Sequence, residues 1–327
     1  MKVIVSAPLP GPAVESLRGE HAVIVGASPY GLGHDALVAM ARDHADAVGI
    51  VAHLADRIDE AVLEAFPALR VVANYAVGVD NIDLAAMESR GVVVCNTPDV
   101  LTDATADLSW ALLLATARRV AEGDRFLRAG EWKGWSPTLL LGAHVTGATL
   151  GIIGLGRIGR AVAARATGFR MRVLATSGGS QTPAPGVEHV ALEELLAASD
   201  FVSIHCPLTD RTRNLVDARM LAAMKRTAIL VNTARGAIVD EPALAEALRN
   251  GVIAGAGLDV FVHEPNVPPD LLAAPNTVLL PHLGSASAAA REAMAQLACD
   301  GVREVLAGRT PRNRVQRSAS VAGAIRG

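Results

Sequence analysis

An α/β fold with two doubly wound parallel sheets is what this sequence predicts, and three observations carry the prediction. Short β-branched runs alternate with Ala- and Leu-rich segments along most of the 327 residues. The alternation runs twice, with one long Ala-, Leu- and Arg-rich stretch between the two series. A chain of 327 residues, 51% of them hydrophobic, is also too large for one small core and suits two.

The first series opens on residues 3–5, a run too short for a secretory leader and read as a strand entering a Pro/Gly loop. Strand candidates follow at 22–25, 47–50, 70–73 and 92–95, with helical patterns such as 59–66 and 84–90 between them. One long helix is expected over 103–128, with Thr102 as its cap and Arg118-Arg119 on its polar face. The second series places strands at 149–153, 172–175, 201–204, 228–231, 255–259 and 277–280. A last helix, about 287–306, finds no neighbour in that series and is expected to return to the first domain. The expected division is a discontinuous substrate domain, 1–102 plus 285–327, around a nucleotide-binding domain, 103–284.

Charge and composition exclude several functions. Thirty Lys and Arg against 33 Asp and Glu leave a net −3, with no broad basic surface for nucleic acid or anionic lipid. The longest uncharged stretch, 134–156, is interrupted by Pro137, His144 and several Gly and Thr, so a membrane span is rejected. The five Arg after Glu304, without aromatic interleaving, read as a solvated tail. Cys95, Cys206 and Cys299 form no CxxC and no zinc spacing with histidine. Reduced thiols, no metal and a cytoplasmic location are expected.

Gly154-Leu155-Gly156-Arg157-Ile158-Gly159 matches GxGxxG. With 30 Gly in the chain the spacing alone arises by chance about 0.25 times, so context must decide. A strand precedes it and a helical run follows it, which favours a dinucleotide-binding Rossmann turn over an ordinary Gly-rich βα turn. The first Gly permits the turn, the second admits a pyrophosphate and the third lets helix and strand pack. The helix N-terminus then offers unpaired N–H groups to the anion. The next strand runs into Thr176-Ser177-Gly178-Gly179-Ser180 without the acid that usually holds the adenosine ribose. No carboxylate there repels a 2′-phosphate, and Ser177 and Ser180 could donate to one. The balance falls to NADP(H), with NAD(H) the alternative.

Three later loops each follow a strand at its carboxyl end, where open α/β sheets bind ligands. They are Val231-Asn232-Thr233-Ala234-Arg235-Gly236, Leu258-Asp259-Val260-Phe261-Val262-His263-Glu264-Pro265 and Pro281-His282-Leu283-Gly284-Ser285. Singly, Arg235 reads as a surface ion pair, Glu264 as a loop acid and His282 as a loop histidine. Together, in order behind a Gly turn, they are what reduction of a 2-oxo acid needs. The Arg holds the carboxylate and polarises the ketone. The His gives a proton to the new alcohol oxygen, and the carboxylate favours the imidazolium and orients it.

These segments, with those at 74–83, 101–107 and 130–135, resemble the D-isomer-specific 2-hydroxyacid dehydrogenases, specifically their glyoxylate/hydroxypyruvate reductase branch. The resemblance implies two Rossmann/flavodoxin-like domains with an active-site cleft between them. It implies reduction of glyoxylate or hydroxypyruvate, with hydride from the nicotinamide, a proton from His282, and Arg235, Glu264 and His282 as the catalytic set. It also implies that the backbone N–H groups of Val77 and Gly78 receive the substrate carboxylate, with Ser285 near the substrate. Thr105, Arg157, Ile158, Cys206-Pro207, Thr233 and Asp259 would line the cofactor, Asp259 at its nicotinamide end. A homodimer built on the 103–128 helix and the segment around Trp132 and Trp135 is implied as well, with Trp135 either reaching the partner's pocket or filling an intersubunit core. The chain departs from the family pattern at the missing acid or Arg after Thr176 and at Val262, where an acid is frequent. The alternatives are a relative acting on phosphoglycerate, phosphite or a bulkier oxo acid, or a cofactor-sensing corepressor or binding protein on the same scaffold. A phosphoglycerate enzyme often carries a C-terminal regulatory domain, for which the matched region leaves no room.

Overall fold

The structure is a computed structural model that describes residues 1–178 and 184–316. The described residues divide into two compact units, one of Met1–Leu101 together with residues 285–316, the other of Thr102–Gly284.

In the first unit the β-branched runs form β1 (Lys2–Val5), β2 (Ala22–Val25), β3 (Ala47–Ala52), β4 (Val71–Asn74) and β5 (Val93–Cys95). They make one parallel sheet in the order β2-β1-β3-β4-β5. Helices α1 (Ala13–Arg18), α2 (His34–His44), α3 (Glu60–Ala65) and α4 (Leu84–Ser89) supply the crossovers. Asp59 and Asp83 cap α3 and α4 by accepting backbone N–H bonds at their N-termini. Ile4, Leu37, Ile50, Phe66, Val72 and Met87 fill one core. On the other face lies the last helix, α12 (Ala288–Leu306), against β3 and β4. It approaches so closely that a Cβ on Gly49 would stand 3.2 Å from Val302 Cγ1.

In the second unit the expected single helix over 103–128 is two, α5 (Thr102–Ala117) and α6 (Val120–Arg128). Thr102 is already helical rather than a cap. Arg118-Arg119 marks the break: Arg119 adopts φ +53, and its guanidinium is bonded to Glu122 at 2.7 and 2.8 Å. The returning chain takes the α5 carbonyl end, Ala143 N–H donating to Ala117 O at 2.8 Å. Seven parallel strands follow: β6 (Thr149–Ile153), β7 (Arg172–Thr176), β8 (Val187–His189), β9 (Phe201–Ile204), β10 (Ile229–Asn232), β11 (Gly255–Leu258) and β12 (Thr277–Leu279). Their order is β12-β11-β10-β9-β6-β7-β8, so the winding reverses between β6 and β9. Each face has its own core. Leu112, Leu113 and Val162, from α5 and α7 (Arg157–Ala166), pack on one face. Helices α8 (Leu192–Ala198), α9 (Ala218–Ala223) and α10 (Glu241–Arg249) cover the other, and α11 (Pro269–Leu272) lies beside α10. The small residues of β11 have a reason: a Cβ on Gly257 would stand 3.0 Å from Leu112 Cβ on α5.

Among the described residues no helix is long and apolar enough to cross a membrane. None of the His, Cys, Asp and Glu among them form a group of three that could hold a metal.

Gly159→Ala tests the seam between β6 and α7, because a Cβ there overlaps the Gly154 carbonyl oxygen. The variant should lose about 1–3 kcal/mol in denaturant unfolding; unchanged stability would mean that the seam has slack.

Candidate active site

The turn between β6 and α7 is built by three glycines with different steric tasks. Gly154 has φ +98, which favours glycine, and its missing Cβ lets the turn touch the Cys206 backbone. Gly156 is exposed, with nothing within 4 Å of an added Cβ, so the backbone there is open to a ligand. Gly159 lies against the Gly154 carbonyl. Arg157 and Ile158 open α7 at this turn. At the end of β7 the Ser177 hydroxyl is buried with no hydrogen-bond partner among the described residues. Ser180, expected beside it, lies outside the described residues. An open cradle at a helix N-terminus with an orphaned hydroxyl one strand away fits a dinucleotide.

The loop after β9 backs this turn. His205 Nε2 lies 2.8 Å from the Ser203 hydroxyl, and burial pushes its imidazole down to about 3, so it is neutral. Burial pushes the Cys206 thiol up to about 11, which keeps it a thiol beside Pro207. On α5, Ser109 Oγ donates to the Thr105 carbonyl and meets Thr233 Oγ1, each at 2.8 Å. Thr105 and Thr233 are thus joined through a residue that the sequence does not single out.

Arg235, Glu264 and His282 come from three different loops of one sheet edge. Asn232, buried at the end of β10, accepts from Ala234 N–H at 3.0 Å and donates to Arg235 O at 2.9 Å. Gly236 follows with its Cα against the Phe261–Val262 backbone, where no Cβ fits, and this seats the Arg235 loop on the Glu264 loop. Glu264 Oε1 accepts the Phe261 N–H at 3.0 Å, and Oε2 meets His282 Nδ1 at 2.8 Å. Burial pushes the Glu264 carboxyl up, but the His282 hydrogen bond and charge, the Phe261 N–H and the Arg235 charge outweigh it. The carboxyl is held below its ordinary value. The imidazole and carboxylate keep 26% and 30% of their side-chain surface, so the pair faces outward rather than into a core.

His282 is placed by Asp259. The Asp259 carbonyl accepts its N–H at 2.9 Å, and the Asp259 carboxylate takes Leu283 N–H at 2.6 Å and Gly284 N–H at 2.7 Å. Asp259 is wholly buried, and burial pushes its carboxyl up against those two N–H bonds and the His282 charge. Gly284 also brings Thr105 near, 3.5 Å from an added Cβ.

In the first unit the Val77 and Gly78 carbonyls accept from Asn96 Nδ2 at 2.8 Å and Asn74 Nδ2 at 2.7 Å. Their N–H groups have no hydrogen-bond partner among the described residues. Ser285 opens the segment of this unit that leads into α12. Trp132 and Trp135 stand 55% and 84% exposed after α6, apart from the Arg–Glu–His group in sequence. The sequence does not single out Asn74, Asn96 and Asn232; their one signal is an Asn at the end of a strand.

The D-isomer specific 2-hydroxyacid dehydrogenase family, by the model of its NAD-binding domain, matches residues 110–284. A glyoxylate reductase of Pyrococcus horikoshii is 48% identical over 323 residues, 97% of this chain and 96% of its own length. A solved structure from Thermus thermophilus has a TM-score of 0.88 and 48% identity, covering 97% of this chain and 100% of that one. An NADPH-dependent glyoxylate/hydroxypyruvate reductase from Sinorhizobium meliloti, solved with NADP and malonate, gives 0.87 and 35% over 99% of each.

The Glu264 carboxyl has a folded-state pKa below its unfolded one, so its contribution to stability is present above the ordinary carboxylate range. It is lost as pH falls through the folded value. Glu264→Gln should therefore melt below the parent at pH 7, with the gap closing toward about pH 3. A gap that is the same at both pH values would break this account.

Proposed function

Because the chain belongs to the D-isomer specific 2-hydroxyacid dehydrogenase family, we propose that it reduces glyoxylate or hydroxypyruvate through Arg235, Glu264 and His282. It is an oxidoreductase of small 2-oxo acids that uses a nicotinamide cofactor. The observation that carries the residue assignment is the 2.8 Å His282–Glu264 pair with the Arg235 charge acting on the same carboxylate.

When bound, the reduced nicotinamide supplies the hydride that reaches C2 of the oxo acid. His282 holds the proton for the oxygen. Its Nδ1 is engaged by Glu264, which orients the ring and leaves Nε2 to face the substrate. Arg235 orients the acid and stabilises charge developing on the oxygen. The Val77 and Gly78 N–H groups receive the substrate carboxylate, with Ser285 beside it. Gly154, Gly156 and Gly159 would hold the pyrophosphate, while Thr105, Arg157, Ile158, Cys206, Pro207, Thr233 and Asp259 would line the rest of the cofactor.

The orphaned Ser177 hydroxyl, with no acid at the end of β7, supports NADP(H) over NAD(H). A homodimer belongs to the same proposal, and the exposed apolar residues Leu127, Trp132, Trp135 and Leu141 support its being built on α6 and the arm after it. In such a dimer Trp135 reaches the partner's pocket or fills the core between subunits. Three unpaired cysteines suit a cytoplasmic location.

Cofactor oxidation followed spectrophotometrically over a panel of small oxo acids tests the reading. His282→Ala should cut kcat by about 10²–10⁴ while reduced-cofactor binding survives; near-normal turnover would remove His282 as proton donor. Arg235→Ala should raise the KM for the oxo acid as well as lowering kcat. In a separate titration NADPH should bind more tightly than NADH, and this preference should shrink in Ser177→Ala; a clear preference for NADH would reverse the cofactor assignment.

A further inference from the structure

We propose that Asn96 is a positioning residue that fixes the direction of the Gly78 N–H before substrate arrives; this rests on the reading in which that N–H receives the substrate carboxylate. In a trans peptide the carbonyl and the following N–H point in opposite directions, so a bond to one sets the other. The Ala76 carbonyl accepts the Thr97 N–H at 2.9 Å, and the Val77 carbonyl accepts Asn96 Nδ2 at 2.8 Å. Both donors belong to the short loop after β5. Two successive carbonyls therefore face the same loop, and the two N–H groups they control, Val77 and Gly78, face away from it together. Successive carbonyls of an extended strand would alternate; here they do not, and two adjacent donors are presented side by side to an anion.

Asn96 is itself held. Its backbone N–H donates to Asn313 O at 3.1 Å, and its carbonyl accepts Asn313 Nδ2 at 2.8 Å. Asn313 is buried, and its Nδ2 also donates to Leu297 O on α12 at 3.1 Å. The anchor thus runs from α12 through Asn313 and Asn96 to the Val77–Gly78 peptide, all within the first unit. Beyond that peptide, Asn74 Nδ2 takes the Gly78 carbonyl at 2.7 Å and closes the turn from the strand side. None of these side chains touches the substrate in this account; they act through the backbone.

The test uses the full chain with saturating reduced cofactor, glyoxylate as substrate and oxalate as a carboxylate that cannot be reduced. Asn96→Ala removes the donor, and Asn96→Asp keeps the shape but, ionised, cannot donate. In both, the glyoxylate KM and the oxalate Ki should rise together by about tenfold or more, while the reduced-cofactor KM stays within about twofold and kcat changes less. A folded variant of either kind with unchanged KM and Ki overturns the inference. If neither variant folds, ¹⁵N relaxation of the wild-type protein decides it: the Gly78 amide should be as ordered as β4, with S² about 0.85, and a value below about 0.6 overturns the inference. A wild-type protein that reduces no oxo acid and is indifferent to oxalate instead defeats the functional reading itself. Wild-type activity and oxalate inhibition with no effect of Asn96 defeats only the positioning role.

Discussion

The buried carboxylate of Asp259 is the constraint on which the geometry of the His282 loop depends. It sits just past β11, and its carbonyl and two carboxylate oxygens bind the N–H groups of His282, Leu283 and Gly284 in succession. His282 has φ +56, a left-handed conformation that costs a non-glycine residue about 1–2 kcal/mol. The Asp259 clamp offsets that cost and makes the conformation the stable one. In it, the ring meets Glu264 at 2.8 Å. The clamp also gives Asp259 a task that its expected place along the cofactor does not include, since both of its oxygens serve the backbone of the His282 loop.

The two units solve the same local problem with the same residue type. A parallel strand ends at the carboxyl edge, and the loop that leaves it must expose backbone or side-chain groups to a ligand while its own polar atoms stay satisfied. At the end of β4, Asn74 is wholly buried, exchanges carboxamide bonds with Asn81 and donates to Gly78 O. At the end of β10, Asn232 is buried, accepts from Ala234 N–H and donates to Arg235 O. A carboxamide suits this place because it both accepts and donates without carrying charge into the sheet. An Asp there could not donate to the carbonyl.

The same feature explains what the sequence reveals and what it hides. The Gly turn is legible because each of Gly154, Gly156 and Gly159 has a separate steric reason. Arg235, Glu264 and His282 are legible because loops at one edge of a parallel sheet are brought near one another by topology alone. The strands expected at 70–73 and 228–231 lie one residue later, at Val71–Asn74 and Ile229–Asn232, because the terminal Asn reads as loop and is in fact the buried anchor. β8 is hidden in the sequence, since Val187–His189 is a three-residue edge strand with a charged centre. The break after Ala117 is hidden for another reason. Arg118 and Arg119 are good helix formers, and the helix ends there because the distant Gly142–Ala143 segment takes the Ala117 carbonyl, where a Cβ on Gly142 would not fit.

Electrostatics then divides the sheet edge in a way that chooses among nine histidines. His205 also follows a strand at this edge and lies closer in the fold to the Gly turn, yet its ring partner is a hydroxyl and burial holds the ring neutral, at about 3. With Ser203 and the Cys206 thiol it makes an uncharged wall beside the Gly turn. His282 has a carboxylate partner instead, and that carboxylate is kept ionised by the imidazole, a backbone N–H and the Arg235 charge. The partner separates the two rings: a hydroxyl at His205, and at His282 a carboxylate held in its charged form.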